Sequence, residues 1–205
     1  MTREEFDRQF LQDGVRTLAG VDEAGRGPLA GAVFAAAVIL PPGFYMEEIN
    51  DSKALTEKKR EALFPVIQEK ALAYAIASVD ESVIDEMNIL NATMLAMRQA
   101  IEGLALQPDL ILVDGNVSRG LPEPNRCVKK GDSLSQSIAA ASILAKVARD
   151  RYCREVLAAA YPQYEFEKHK GYGSKRHCAL IRQLGPCPAH RKTFLTKILA
   201  REEGQ

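Results

Sequence analysis

The twelve residues Gly20–Gly31, GVDEAGRGPLAG, constrain the chain more than any other stretch. An apolar lead of Leu18, Ala19 and Val21 has the composition of a strand. It runs into two adjacent carboxylates, Asp22 and Glu23, and then into Gly25, Arg26, Gly27 and Gly31. Open α/β sheets place their chemistry at strand ends. Carboxylates there suit hard, oxygen-seeking cations. Glycines let backbone amides and carbonyls approach a ligand that a Cβ would hold off. The local expectation is a metal-dependent site handling a phosphate or sugar group.

The rest of the pattern alternates strands with helices. Residues 2–13 read as a short polar helix and 17–24 as a strand. Residues 30–40 read as a second strand, stopped by Pro41–Gly43. The short link between the two predicts a hairpin. Helical composition covers 55–73, with an uncertain start because Thr56 and Lys59 do not make a capping box. Residues 73–79 return to strand. Apolar residues at three- and four-residue steps predict one helix over 81–104. A buried-type strand follows at 110–113, ending at Asp114. The longest helix is expected over 134–160, with a stripe of Leu134, Ile138, Ala141, Ala145, Ala148, Tyr152 and Val156. Two short helices, 176–184 and 191–200, flank a GPCP turn. Such interleaving specifies an α/β domain with a small helical C-terminal piece.

The chain has 205 residues, enough for a sizeable core in one domain, and carries 27 basic and 27 acidic residues. Nucleic-acid binders are often basic overall, so zero net charge argues mildly against one. Basic residues nevertheless concentrate after Lys168, in KHKGYGSKRH and HRKTFLTK, so a local basic surface is expected. Cys127, Cys153, Cys178 and Cys187 form no CxxC pair, which gives a zinc module little support. Reduced, mostly buried thiols in a cytosolic protein are expected instead. The opening MTREEFDRQF lacks the apolar segment of a secretory leader. The longest apolar run, 29–40, is too short for a bilayer. GxxxxGK[ST] does not occur, which disfavours a nucleoside triphosphatase.

Further motifs join the first. VDGN sets Asp114 at a strand end before a glycine turn. GDSLSQSIAAASILAKVARD sets Asp132 at the mouth of the long helix, where it also suits a cap. NDSK supplies Lys53, and HKGYG sets Tyr172 between two glycines. Any one of these alone has an ordinary reading as turn, cap or surface residue. Together, and in this order from about Leu18 to Arg191, they resemble ribonuclease HII, the type 2 ribonuclease H family.

That resemblance implies a ribonuclease H-like fold: a mixed central sheet flanked by helices, with a small helical C-terminal extension. It implies one type-2 domain over 1–205, with a catalytic core at about 14–165 and a basic loop and helical part at about 166–205. It implies endonucleolytic cleavage of the RNA strand of RNA–DNA hybrids, and of duplex DNA 5′ of single embedded ribonucleotides. The family's four acidic positions fall on Asp22, Glu23, Asp114 and Asp132, which would hold two Mg²⁺ or Mn²⁺ ions. Its GRG motif falls on Gly25, Arg26 and Gly27, and its substrate-contacting tyrosine on Tyr172.

Two cations about 3.5–4 Å apart serve both ends of an in-line phosphodiester displacement. Asp22, on a core strand, is the expected bridge, with Asp114 and Glu23 completing the ligand set. Asp132 is expected to bind the second ion or to move protons. Neighbours on a regular strand point to opposite faces, so Asp22 and Glu23 share a site only if the strand ends or bends, or if one lends its backbone carbonyl. Recognition of a 2′-hydroxyl suits the backbone of Gly25–Gly27. Tyr172 is placed to stack on the neighbouring deoxyribose, and Lys53, Lys170 and Lys175 to neutralise phosphates. Asp150 lies eighteen residues, about 27 Å of helix, beyond Asp132 and is expected to pair with an Arg instead. His169 is a candidate base or, more plainly, a phosphate or backbone contact; His177 and His190 stay unassigned. The partner is nucleic acid and not a membrane, and the chain is expected to be a cytoplasmic monomer without an added interaction tail after Arg201. A non-catalytic hybrid-binding module and a DNA nuclease of the same fold are the competing readings. The four acids disfavour the first, and Arg26 with Tyr172 disfavours the second.

Overall fold

The computed structural model describes residues 1–199. Five strands form one sheet: β1 (Leu18–Ala24), β2 (Val33–Ile39), β3 (Ala73–Val79), β4 (Leu110–Asp114) and β5 (Asn125–Val128). Their spatial order is β3-β2-β1-β4-β5. β1–β2 and β2–β3 run antiparallel, whereas β1–β4 and β4–β5 run parallel. This is the expected mixed sheet of a ribonuclease H-like fold.

The helices are α1 (Arg3–Arg8), α2 (Glu57–Lys70), α3 (Glu81–Met87), α4 (Ile89–Glu102), α5 (Gly131–Leu134), α6 (Gln136–Tyr152), α7 (Ala158–Ala160), α8 (Phe166–His169), α9 (Lys175–Leu184) and α10 (Lys192–Leu199). Alternation along the strands assigns each face. Ala19, Val21, Ile111 and Val113 pack under α4 with Ala92, Ala96 and Met97. Leu18, Leu110 and Leu112 turn the other way, toward Ile138 of α6. The same face of β2, Ala36 and Val38, meets Ala139–Ala141, Ile143 and Leu144. Gly20 faces α6 as well, and a Cβ there would overlap the Ser137 backbone. The bare backbone at Gly20 is what lets the start of α6 lie directly on β1.

Several boundaries differ from the sequence expectation. α1 closes at Arg8 rather than at residue 13, after a capping box between Thr2 and Glu5. β2 begins at Val33, because Gly31 turns at φ +81° and Ala30 pairs instead with His190. The helix expected over 81–104 is two helices, broken at Asn88. Its φ is +70°, and its side chain caps the next helix by accepting from Leu90 N and Asn91 N. α2 starts after Thr56, which accepts from Lys59 N without a full capping box. β5 is a short polar edge strand with no apolar alternation to reveal it.

The long helix is also interrupted. Ser135 is extended (ψ 133°), so Asp132 sits on the separate turn α5 and not on α6. Leu134 is exposed as a result. At the far end, residues 153–157 form a π-helical turn, which adds one residue to the helical phase. Cys153 and Leu157 therefore turn inward, and Val156, expected in the stripe, is exposed. They pack with Tyr164, Phe166, Leu180 and Ala189 over Ala30, which fastens the C-terminal helices to the strand-linking loop. All four cysteines are free, but only Cys153 is buried; Cys127 is exposed and the other two are half-buried. The end of the helix expected over 191–200, and the C-terminal residues 201–205, lie outside the described residues.

Candidate active site

The parity of the strands builds the acidic cluster. β1 and β4 pair in parallel up to Val21 and Val113, so the next residues stand side by side: Asp22, inside β1, and Asp114, the last residue of β4. Both occupy α6-facing positions, in step with Gly20 and Leu112. α5 brings Asp132 over the same face. One carboxylate oxygen from each of the three lies within 4.8 Å of the others. Asp22 and Asp132 are buried, 4% and 6% exposed. Gly131 N donates to Asp114 Oδ1 at 2.6 Å, tying α5 to the end of β4. Asp22 Oδ1 accepts from Glu23 N at 2.7 Å.

Burial pushes the Asp22 carboxyl well above its ordinary pKa, and the Glu23 and Asp114 charges push the same way. Asp114 is also raised, first by burial and then by Asp132, against the opposing hydrogen bond from Gly131. Like charges gathered out of water favour protonation or a compensating cation. Three clustered carboxylates are an oxygen-only donor set of the kind that Mg²⁺ and Mn²⁺ prefer, so the residues present fit a divalent ion.

Glu23 is not part of this group of three. β1 stays paired through Ala24, with Glu23 opposite Ala35, so the bend that would turn Glu23 to the Asp22 face is missing. Its Oε1 instead lies 3.4 Å from Arg26 Nη1. Both residues still line the cleft that contains Asp22 and Asp114.

The other wall of the cleft carries Gly25–Gly27, Lys53, Lys146 and Tyr172. Lys53 Nζ lies 3.5 Å from Asp132 Oδ2. Its burial would lower the ammonium pKa, but the charges of Asp132, Asp22 and Asp51 outweigh that and hold it above the ordinary value. Tyr172 is 43% exposed, and its ring faces Gly27, where an added Cβ would come 3.9 Å from Cε1. The Arg149 guanidinium and the Lys146 ammonium lie 5.6 and 5.9 Å from the ring centroid. Gly25 takes φ +100°, and a side chain there would overlap Arg149.

Lys170 and Lys175 are not among the residues lining this cleft. Lys170 caps α8 in a left-handed conformation and donates from Nζ to Glu167 O at 2.5 Å. Lys175 is exposed at the start of α9. His169 is a backbone contact: its ring nitrogens meet Tyr164 O and Gly171 N. Asp150 pairs with Arg60 (3.7 Å) and Lys146 (2.6 Å), away from the acidic cluster. Sequence reasoning missed Lys146. Its signal was its place on α6, one turn before Asp150, on the side that meets the HKGYG loop.

A family model described as Ribonuclease HII matches residues 19–197. The chain is similar to a protein described as Ribonuclease HII from Caldicellulosiruptor saccharolyticus, 54% identical over 195 residues and covering 95% of each chain. Another so described, from Geobacter sp. strain M21, is 56% identical over 189 residues, 92% of this chain and 82% of that one. Among solved structures, the ribonuclease H2 of Pyrococcus horikoshii OT3 superposes with TM-score 0.73 at 29% identity, covering 92% of this chain and 100% of the other.

Proposed function

The chain belongs to the ribonuclease HII family, whose hydrolysis targets the RNA strand of RNA–DNA hybrids, and on that premise we propose that it also cuts duplex DNA 5′ of single embedded ribonucleotides, with two divalent cations. The observation that carries this reading is a cluster of three carboxylates, two of which, Asp22 and Asp114, line one cleft with the Gly25–Gly27 and Tyr172 loops. Asp22, Asp114 and Asp132 would hold the ions, and Glu23 lines the same cleft. Bound ions would supply activation of a water and charge stabilisation at the leaving 3′-oxygen, the chemistry that leaves a 5′-phosphate. Mg²⁺ and Mn²⁺ both suit the donor set.

The chain's own residues do the rest. The Gly25–Gly27 backbone lies bare enough to enter a shallow minor groove and exchange hydrogen bonds with a 2′-hydroxyl. Tyr172 offers its ring face to the adjoining deoxyribose, where a second 2′-hydroxyl would collide. Lys53 and Lys146 neutralise the backbone beside the scissile phosphate, which fixes register without reading bases. Lys170 and Lys175 serve phosphates farther along the duplex. Asp132, on its own short turn, would bind the second ion or move a proton.

The reading treats residues 1–205 as one type-2 domain acting as a cytoplasmic monomer. No helix among the described residues is long and apolar enough to cross a membrane.

The test is an end-labelled DNA duplex with one ribonucleotide, incubated with the protein and Mg²⁺ or Mn²⁺, beside EDTA and all-DNA controls. One metal-dependent cut on the 5′ side of the ribonucleotide is expected. Cleavage of a continuous hybrid only would reject the junction specificity.

A further inference from the structure

Behind the two reading loops lies a buried polar assembly that contributes neither carboxylate nor cleft surface. Arg191 is fully buried, and all five of its N–H groups are used. Nε donates to Gly31 O (2.9 Å), Nη1 to Arg26 O (3.0 Å) and Pro28 O (2.8 Å), and Nη2 to Gly25 O (2.6 Å) and Gly31 O (2.7 Å). One guanidinium thus grips four carbonyls of the Gly25–Gly31 loop. No carboxylate among the described residues lies within ion-pair distance of it, so its hydrogen bonds all go to backbone oxygens, and the guanidinium lies 5.2 Å from the Phe194 ring centroid.

The preceding residue grips the other loop. His177 Nδ1 lies 2.9 Å from Tyr172 O, and a carbonyl only accepts, so Nδ1 carries the proton. His177 Nε2 is then bare and must accept from His190 Nε2, 3.1 Å away. His190 Nδ1 is bare in turn, which suits the 2.9 Å hydrogen bond that it accepts from Cys187 N. A single set of neutral tautomers satisfies the bonds from Cys187 N to His190, from His190 to His177 and from His177 to Tyr172 O. Both rings are buried, 1% and 0% exposed. Main-chain bonds close the frame: Leu29 N donates to Gly171 O, Arg191 N to Leu29 O and Gly31 N to Ala189 O, each at 2.8 Å.

Resting on the functional reading above, we propose that His190 and Arg191 are positioning residues that hold the Gly25–Gly27 loop and the Tyr172 loop at one fixed separation, and so set discrimination at the ribonucleotide–deoxyribonucleotide junction. Adjacent residues 190 and 191 reach the two loops, His190 through His177 and Arg191 directly. A ruler for two neighbouring sugars needs its two marks a constant distance apart, and this dipeptide is the shared mount. Lysine at 191 brings three donors from one point and cannot span four carbonyls. Glutamine at 190 places an amide N–H near the position of Nε2 and keeps the donor to His177.

The experiment compares full-length wild type, Arg191→Lys, His190→Ala and His190→Gln on three duplexes: one embedded ribonucleotide, a continuous RNA–DNA hybrid, and all DNA. Cleavage is measured as kcat and KM with Mn²⁺, and binding by fluorescence anisotropy in EDTA, with each variant's Tm recorded. For Arg191→Lys and His190→Ala we expect kcat/KM on the single ribonucleotide to fall at least tenfold more than on the hybrid. Anisotropy should show a smaller preference for the ribonucleotide duplex over all DNA, and His190→Gln should recover most of the loss. Parallel losses on both cleavable substrates, or no recovery in His190→Gln, would overturn the positioning role. If His190→Ala does not fold, Arg191→Lys and His190→Gln carry the same comparison: unchanged selectivity in Arg191→Lys overturns the proposal. A wild-type protein without preference for the single ribonucleotide would overturn the functional reading itself, and the inference with it.

Discussion

The ammonium of Lys53 lies 3.5 Å from Asp132 Oδ2, across 79 residues of sequence. The lysine is exposed and the aspartate buried, so the pair joins the solvent edge of the cleft to its floor. A phosphate entering the cleft competes with Asp132 for this cation. Lys53→Ala should raise KM several-fold on a hybrid substrate and change kcat less. The slope of log affinity against log salt should fall by about one. Filter binding across a salt series checks both the contact and its type.

Three carboxylates packed together destabilise the fold unless a cation or a proton relieves them. Asp22→Asn should abolish cleavage, retain hybrid binding, and raise the Tm measured in EDTA. In a protein of this size each kcal/mol moves Tm by about 2–4 °C. A Tm in EDTA below that of wild type would mean that Asp22 is compensated within the fold and not by a bound ion.

Divalent cations should stabilise the wild type by mass action. At a hundred times Kd the gain is about 2.7 kcal/mol. Thermal melts with increasing Mn²⁺ should therefore climb by several degrees, and Asp22→Asn and Asp114→Asn should flatten the response. A climb that survives in both variants would locate the ion elsewhere.

Tyr172→Ala should lower turnover on a single embedded ribonucleotide more than on a long hybrid, and Tyr172→Phe should retain most activity, since the ring face and not the hydroxyl does the reading. Equal losses on both substrates would remove the sugar-testing role.

Acid should loosen the frame behind the reading loops. Burial first, and then the nearby His169, hold both His177 and His190 down to about 4, against 6.5 for a free imidazole. The unfolded chain therefore binds more protons between these values, and stability falls as pH drops from about 6.5 toward 4. The rings that face this pair belong to His169, Tyr164 and Phe166, with Cys187 beside His190, and no carboxylate lies within ion-pair distance among the described residues. A second proton on His177 would set two N–H groups against each other across 3.1 Å, and one on His190 would set its Nδ1–H against Cys187 N–H across 2.9 Å. Urea melts from pH 7.5 to 4.5 should show the loss, and His190→Gln should reduce it. A stability that does not change over this range would mean that the pair is protonated without cost.

The sheet was legible where alternation and punctuation agreed. Val21, Asp114 and the residues around them sit on strands that the sequence marks plainly, and 73–79 matches β3 to the residue. Helix interruptions were not legible. Asn88 and Ser135 lie inside apolar patterns whose period survives the break, and local hydrogen bonds overrule that period. The π turn shifts phase by one residue, which no spacing rule detects in advance. In the site, Asp22, Asp114 and Asp132 stood out by motif, and the structure gathers them. The position of Glu23 turned on whether β1 bends, which depends on its pairing with β2 and not on its own residues. Arg191 and the histidines were silent because their partners are backbone atoms, which leave no pattern of residue types.

The order in which these parts occur along the chain has a temporal side. The hydrolytic carboxylates are complete once residue 132 is in place, whereas the grip on the two reading loops waits for residues 190 and 191. A chain made from its N-terminus thus carries the carboxylates proposed to hold the ions roughly sixty residues, or several seconds at about 5–20 residues per second, before the residues proposed to fix the two loops. Until the last turn of synthesis crosses back beside Ala30, blade and gauge are not yet one instrument.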